Sequence, residues 1–375
     1  LDTIRFVCAL WVTLGHIGLP PIFTEAEHGL LYILNGIYNG VINGPAAVIV
    51  FFVISGFCIH YPYRQGQRPH LPSYYTRRLV RIGIPLLIAI PVSGFCGVYY
   101  SSMSDSILWS LMAEIIYYLI YPALLLLAAR FGWRRLILVS FVLAYCIIAT
   151  NPGGNGGNYP AYGDGLNWLV GLPVWLLGCL LAQRSDTLPA ANTHNIWLWR
   201  TGVVAASCLA TLLRWHLPIG SIGFQWTLNL FGVVVFAWLA QEIVFFRQHQ
   251  PIRWLETAGA WSYSLYLIHA SGANLVYKMV PFGKPTPFVF GMLLIVSALF
   301  FSYIFFILVE RPSHRLAVRL SKQFQKPSAD RSSGAIVTQP VWVSSELSQA
   351  NLARDLHHPT NHSSTDQGSS VIMPD

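Results

Sequence analysis

Ten apolar runs, each roughly 17–23 residues long, follow one another along the chain. Runs of this length with few charges read as transmembrane helices. They cover approximately 3–23, 43–63, 80–100, 107–129, 134–151, 166–184, 197–217, 226–246, 261–281 and 287–309. A short turn at Gly132 joins the fourth and fifth, and Pro173 falls inside the sixth, where a kink is expected. The pattern predicts an all-α polytopic membrane bundle of about ten transmembrane helices over residues 1–320. The stretch 321–375 has few sustained apolar runs and is rich in Ser, Asn, Asp, His and Gln. It cannot bury enough surface to offset its chain entropy, so a disordered tail is expected there.

The charges orient these spans. Arg64, Arg68, Arg77, Arg78, Arg81, Arg130, Arg134, Arg135, Arg184, Arg200, Arg247 and Arg253 fall in one set of loops, against Arg214, Lys278 and Lys284 in the other. The positive-inside rule assigns the rich set to the cytoplasm. Both termini are then cytoplasmic, in a multi-pass protein of the plasma or inner membrane. No cleavable signal peptide is read at the start.

Composition agrees. The 375 residues are 54% hydrophobic and 10% charged, against about 25% charged in a soluble domain. The net charge of +8 does not point to nucleic acid, because the arginines are scattered at helix ends. Cys8, Cys58, Cys96, Cys146, Cys179 and Cys208 lie in or beside apolar runs without a CxxC pair, so neither a zinc site nor a disulfide framework is indicated. The glycine-rich loop from Asn151 lacks the Lys-Ser/Thr of a phosphate cradle, and the topology puts it outside.

His16 lies within the first apolar run. An ionisable group inside a membrane helix costs free energy and is by default a functional-site hypothesis. Arg5 stands eleven residues earlier, three turns plus roughly 20°, so the two share one helix face about 16 Å apart. The alternative is a histidine that hydrogen-bonds a neighbouring helix as packing glue.

Further motifs occur in order: Leu-Asp-Thr-Ile-Arg-Phe at the start, Phe51-Phe-Val-Ile-Ser-Gly-Phe57, Tyr75-Thr-Arg-Arg-Leu-Val-Arg-Ile82 with Pro85, Trp109-Ser-Leu-Met-Ala-Glu-Ile-Ile-Tyr-Tyr118, Tyr263-Ser-Leu-Tyr-Leu-Ile-His269 and Glu310-Arg-Pro312. This series resembles the acyltransferase 3 family of integral-membrane O-acyltransferases, over residues 1 to about 315. The resemblance implies an acyl group taken from cytoplasmic acyl-CoA, usually acetyl-CoA, and delivered to a hydroxyl of a carbohydrate, a lipid-linked sugar or another small acceptor. The family's first-helix histidine and paired arginine map onto His16 and Arg5, and its Arg-x-x-Arg pair maps onto Arg78 and Arg81. Two departures are visible. No segment here could form the extracytoplasmic esterase-like domain that some relatives carry. The acidic pair after the tryptophan motif is reduced to Glu114, followed by Ile115.

Acyl transfer to a hydroxyl needs a base to take its proton. A neutral imidazole at His16 suits that role. Glu114 is expected at similar depth, orienting His16 or stabilising its imidazolium as a triad acid does; the alternative is a bond to a tyrosine or backbone group that fixes helix packing. Ser110, one turn away, could support Glu114. Arg78 and Arg81, spaced i,i+3, face one way. They read as a clamp on the coenzyme A phosphates, or as a topology anchor touching anionic lipid headgroups. His269 reads as a satisfied structural histidine or as lining of the acceptor path, and Glu310 with Arg311 as a structural clasp. A secondary transporter for a small acid or sugar is the alternative function. It predicts paired broken helices in two related halves, and no clear internal repeat is found.

Overall fold

Apolar runs of these lengths should each close into a helix, and in the computed structural model every one of the ten does. The structure describes residues 1–22, 29–100, 107–151, 159–189, 195–216, 224–280 and 286–324. All belong to one unit, Leu1–Pro327, while a second unit, Ser328–Asp375, lies outside the described residues. The helices are α1 (Asp2–Ile17), α2 (Leu30–Gly40), α3 (Gly44–His60), α4 (Leu71–Cys96), α5 (Leu108–Phe131), α6 (Trp133–Thr150), α7 (Gly163–Arg184), α8 (Ile196–His216), α9 (Phe224–Gln248), α10 (Arg253–Gly259), α11 (Ser262–Met279), α12 (Pro287–Phe305) and α13 (Arg311–Gln323). No strand occurs among the described residues. The glycine-rich loop beyond Asn151 and residues 325–375 of the expected tail lie outside them; residues 321–323 close α13.

Among the described residues, seven helices are long and apolar enough to cross a membrane. Of the ten expected spans, α1, α8 and α11 fall short of that standard. α1 is shorter than expected, because it stops at Ile17 instead of running on to residue 23. Gly18 adopts a positive φ of 85°, and Pro20 and Pro21 have no N–H with which to continue the helix.

α3 is apolar all round, and a helix of that kind must be buried on every side. It lies at the centre with α7, and both bury most of their residues. Their axes come close because each presents a glycine to the other's backbone. A Cβ on Gly56 would overlap the Trp175 carbonyl, and one on Gly178 would overlap the Val53 carbonyl. Small residues at such crossings are how membrane helices gain packing contacts without a hydrophobic driving force. The outer helices instead leave large apolar side chains open, with Leu87 of α4 70% and Phe300 of α12 65% exposed. That surface suits lipid, not water.

One buried ion pair ties α8 to α9. Arg200 donates to Glu242 through Nε at 2.7 Å and Nη2 at 2.9 Å, and Trp238 Nε1 donates to the same carboxylate at 3.0 Å.

Candidate active site

The site is set by how α1 lies along α10 and α11. Thr3 Oγ1 donates to Glu256 at 2.8 Å, and a Cβ on Gly259 would overlap the Asp2 backbone. Farther up, Ser110 Oγ and Tyr266 Oη share a hydrogen bond. At the far end of α1, His16 Nδ1 lies 3.2 Å from His269 Nε2. The offset in sequence is 253 residues at both Thr3–Glu256 and His16–His269, so α1 runs parallel to the successive helices α10 and α11 at a constant offset. His269 is wholly buried, and its Nδ1 lies 3.0 Å from the carbonyl oxygens of both Leu265 and Tyr266. His16 stands in the last turn of α1 and is exposed. It is thus not deep inside the first span as expected, because that helix ends one residue later.

Glu114 does not meet His16. Its carboxylate accepts from Ser55 Oγ at 2.6 Å and from Tyr118 Oη. Ser55 in turn accepts from Trp175 Nε1 at 3.2 Å. The reason is depth. α5 begins at Leu108, level with Tyr266 in the second turn of α11, whose Oη also donates to the Ile107 carbonyl at 3.2 Å. Glu114 is therefore more than a turn farther toward the Arg5 end of the bundle. Ser110 likewise pairs with Tyr266 and the Ile107 carbonyl, not with Glu114. The triad-acid expectation is corrected on this geometry. The packing alternative, a bond to a tyrosine, is the one found.

Glu114 instead shares a small, partly open pocket with Arg5, Ser55, Tyr263 and Tyr266, walled by Phe51 and Phe52. Arg5 forms an ion pair with Asp2 at 3.6 Å. Arg78 and Arg81 stand in the third and fourth turns of α4 at the same end. Arg5 lies within electrostatic range of both Glu114 and Glu310, Arg81 of Glu310, and Arg78 of Tyr118, which bonds Glu114. The structure thus gathers Arg5, Arg78 and Arg81 around Glu114 and Glu310, and His16 stands apart at the other end of α1. Tyr266 connects the two levels: its side chain lines the pocket, and its carbonyl holds His269.

Two other polar residues find partners. Glu310 accepts from the Ser264 backbone N–H at 3.0 Å and from its hydroxyl. A carboxylate there complements the positive N-terminal end of α11, so the clasp joins α11 rather than Arg311. His60, given no role from sequence, is buried between Tyr121 Oη and Gln183 Oε1, each at 2.9 Å. No group of three or more metal-ligating side chains occurs among the described residues.

A parallel helix pair that presents an accessible imidazole, above a pocket lined by arginine and carboxylate, is consistent with acyl transfer but does not by itself define a family. The sequence decides it: the acyltransferase 3 family, described as an acyltransferase domain, matches residues 1–307. The chain belongs to the acyltransferase 3 family. No curated protein and no solved structure matches it significantly. Family membership and the apolar helices together make it a multi-pass membrane acyltransferase. Sequence reasoning placed Arg5, His16, Glu114, Arg78 and Arg81 in the site but missed the His16–His269 contact. The signal available was topological: the first and ninth spans run the same way, and each carries a histidine in its apolar stretch.

Proposed function

We propose that this protein is a membrane O-acyltransferase that moves an acyl group, typically acetyl, from cytoplasmic acyl-CoA to a hydroxyl of a carbohydrate, a lipid-linked sugar or another small acceptor. The observation that carries the reading is the separation of two chemistries along α1. Arginines collect near Arg5, and an accessible imidazole stands at His16, about 16 Å farther along the axis. An extended pantetheine arm has comparable length. Guanidinium forks match phosphate oxygens. On this reading Arg5, Arg78 and Arg81 hold the coenzyme A phosphates while the thioester reaches His16.

The imidazole of His16 takes the acceptor's hydroxyl proton as that oxygen attacks the thioester carbonyl. The tetrahedral intermediate collapses, the carbon–sulfur bond breaks, and the proton passes from the imidazolium to the departing thiolate. Products are the ester and free coenzyme A, and the histidine returns neutral. The imidazolium forms in the last turn of α1, where helix carbonyls favour positive charge. The donor enters from the arginine end, which the charge distribution assigns to the cytoplasm. The acceptor reaches His16 from the opposite side or from within the membrane.

The test uses purified protein in detergent with acetyl-CoA, and chromatography to measure free coenzyme A. Wild-type protein should transfer the acetyl group to water or to an added polyol and release free coenzyme A. His16→Ala should keep the wild-type melting temperature and lose about 10²–10⁴-fold in turnover, the usual contribution of a general base. Undiminished turnover in that variant refutes the assignment.

A further inference from the structure

We propose that His269 is a positioning residue that fixes the proton of His16 on Nδ1 and so presents Nε2 of His16 as the base. The inference rests on the acyltransferase reading above and deepens it.

It follows from hydrogen-bond accounting. A backbone carbonyl only accepts. His269 Nδ1 faces two of them, Leu265 and Tyr266, each at 3.0 Å. The proton of a neutral His269 is therefore on Nδ1, and its Nε2 carries a lone pair. That lone pair points at His16 Nδ1, 3.2 Å away, so His16 Nδ1 must be the donor. The ring centroids are 5.1 Å apart and the ring planes differ by 25°. The two rings are thus close to parallel and offset, with the two nitrogens at their nearest edges. Nε2 is then the nitrogen of His16 with a lone pair available to substrate.

Burial adds to the case. His269 is fully enclosed and His16 is exposed. The enclosed ring is held at Nδ1 by its own helix, and it cannot rotate without stranding that donor. It therefore imposes one tautomer and one orientation on its accessible neighbour. When His16 becomes positively charged, its Nδ1–H bond to the His269 lone pair becomes charge-assisted and strengthens. A carboxylate does this for histidine in hydrolytic triads; here a second, neutral histidine occupies that place.

Two measurements test the proposal. The first leaves the protein unaltered: two-dimensional ¹H–¹⁵N spectra of histidine-labelled protein in detergent, with the His16 signals assigned by their loss in His16→Ala. His16 should show the Nδ1–H tautomer. The Nε2–H tautomer overturns the proposal. The second compares coenzyme A release from acetyl-CoA in three variants. His269→Gln places an amide oxygen near the original Nε2 and should retain most of the turnover. His269→Asn can reach only the carbonyls of its own helix, Leu265 and Tyr266, and His269→Leu fills space alone. Both should lose about 10²-fold in kcat, with KM for acetyl-CoA unchanged. Wild-type kcat in His269→Leu or His269→Asn overturns the proposal, as does a loss in His269→Gln equal to that in His269→Leu. Should the variants misfold, the spectrum of the wild-type protein decides. An inactive His16→Ala with a fully active His269→Leu removes this inference alone, whereas an active His16→Ala removes the underlying reading.

Discussion

Replacing Glu114 by Gln separates two roles that its position in sequence leaves mixed. The carboxylate accepts two hydrogen bonds, from Ser55 and Tyr118. Bonds to a charged acceptor contribute about 1.5–3 kcal/mol each, and neutral ones about 0.5–1.5. Gln keeps an acceptor in the same place, so the change weakens two bonds without removing them. Part of that loss returns because an amide is cheaper to bury than a carboxylate. A net destabilisation of about 1–3 kcal/mol is expected. Glu114→Ala should cost somewhat more, about 2–4 kcal/mol. It is spared the full penalty because Ser55 and Tyr118 lie 3.3 Å apart and can bond each other. Turnover should respond far less. Removing the charge of an acid that orients a catalytic histidine costs about 10⁴ in kcat. Glu114 makes no such contact, so Glu114→Gln should lose about tenfold at most, roughly 1.4 kcal/mol in the barrier. The assay is coenzyme A release from acetyl-CoA, run beside a thermal melt in detergent. A Glu114→Gln protein that melts like wild type and is as inactive as His16→Ala would refute this placement of Glu114.

Two further predictions concern the frame. Gly178→Ala should destabilise by about 1–3 kcal/mol, because its Cβ would overlap the Val53 carbonyl; Gly202→Ala, where no atom lies within 4 Å, is the control. Equal melting temperatures for the two would show that the α3–α7 crossing is not close-packed. Arg200→Ala leaves the Glu242 carboxylate, 1% exposed, with Trp238 as its remaining donor, and should cost about 3–5 kcal/mol. Adding Glu242→Gln should recover most of that loss in the melt, and a double variant no better than the single one would contradict the account.

The helices were legible because a membrane span must be long and apolar, and length is visible without a structure. Where a span ends was less legible. Leu19 to Phe23 continue the apolar run, yet Gly18 and the two prolines stop α1. Hydropathy carries no information about backbone geometry. α11 fails the apolarity standard for a converse reason. Its Ser264, His269, Ser271 and Asn274 are bonded to neighbouring helices, so polar residues there serve packing and the site. Arg5, Arg78 and Arg81 could be brought to one end by counting charges alone. The depth of Glu114 could not, because it depends on how α5 sits against α11. His269 was read as structural or as lining because periodicity on one helix says nothing about a partner 253 residues away.

Register is what makes two histidines on separate helices a pair. A slip of one residue rotates a side chain by about 100° and moves it about 1.5 Å along the axis, enough to lose a 3.2 Å contact. α1 is fixed at its opposite end, where Thr3 bonds Glu256 and Gly259 admits the backbone of Asp2. A helix transmits that register over its whole length, so His16 can be exposed and still be located. α11 is fixed to α4 in the same manner. Ser271 bonds Ser93 at 2.9 Å and Asn274 bonds the Cys96 carbonyl at 2.7 Å, both at an offset of 178 residues. α4 is the helix that carries Arg78 and Arg81. Arg81 to Ser93 spans about 18 Å, and Arg5 to His16 about 16 Å. Two parallel helices thus measure nearly the same distance from arginine end to histidine end, and α11 holds both. A donor anchored by its phosphates at that end would find the base at one fixed distance. A change at Thr3, Glu256 or Gly259 should therefore disturb the His16–His269 contact without touching either ring.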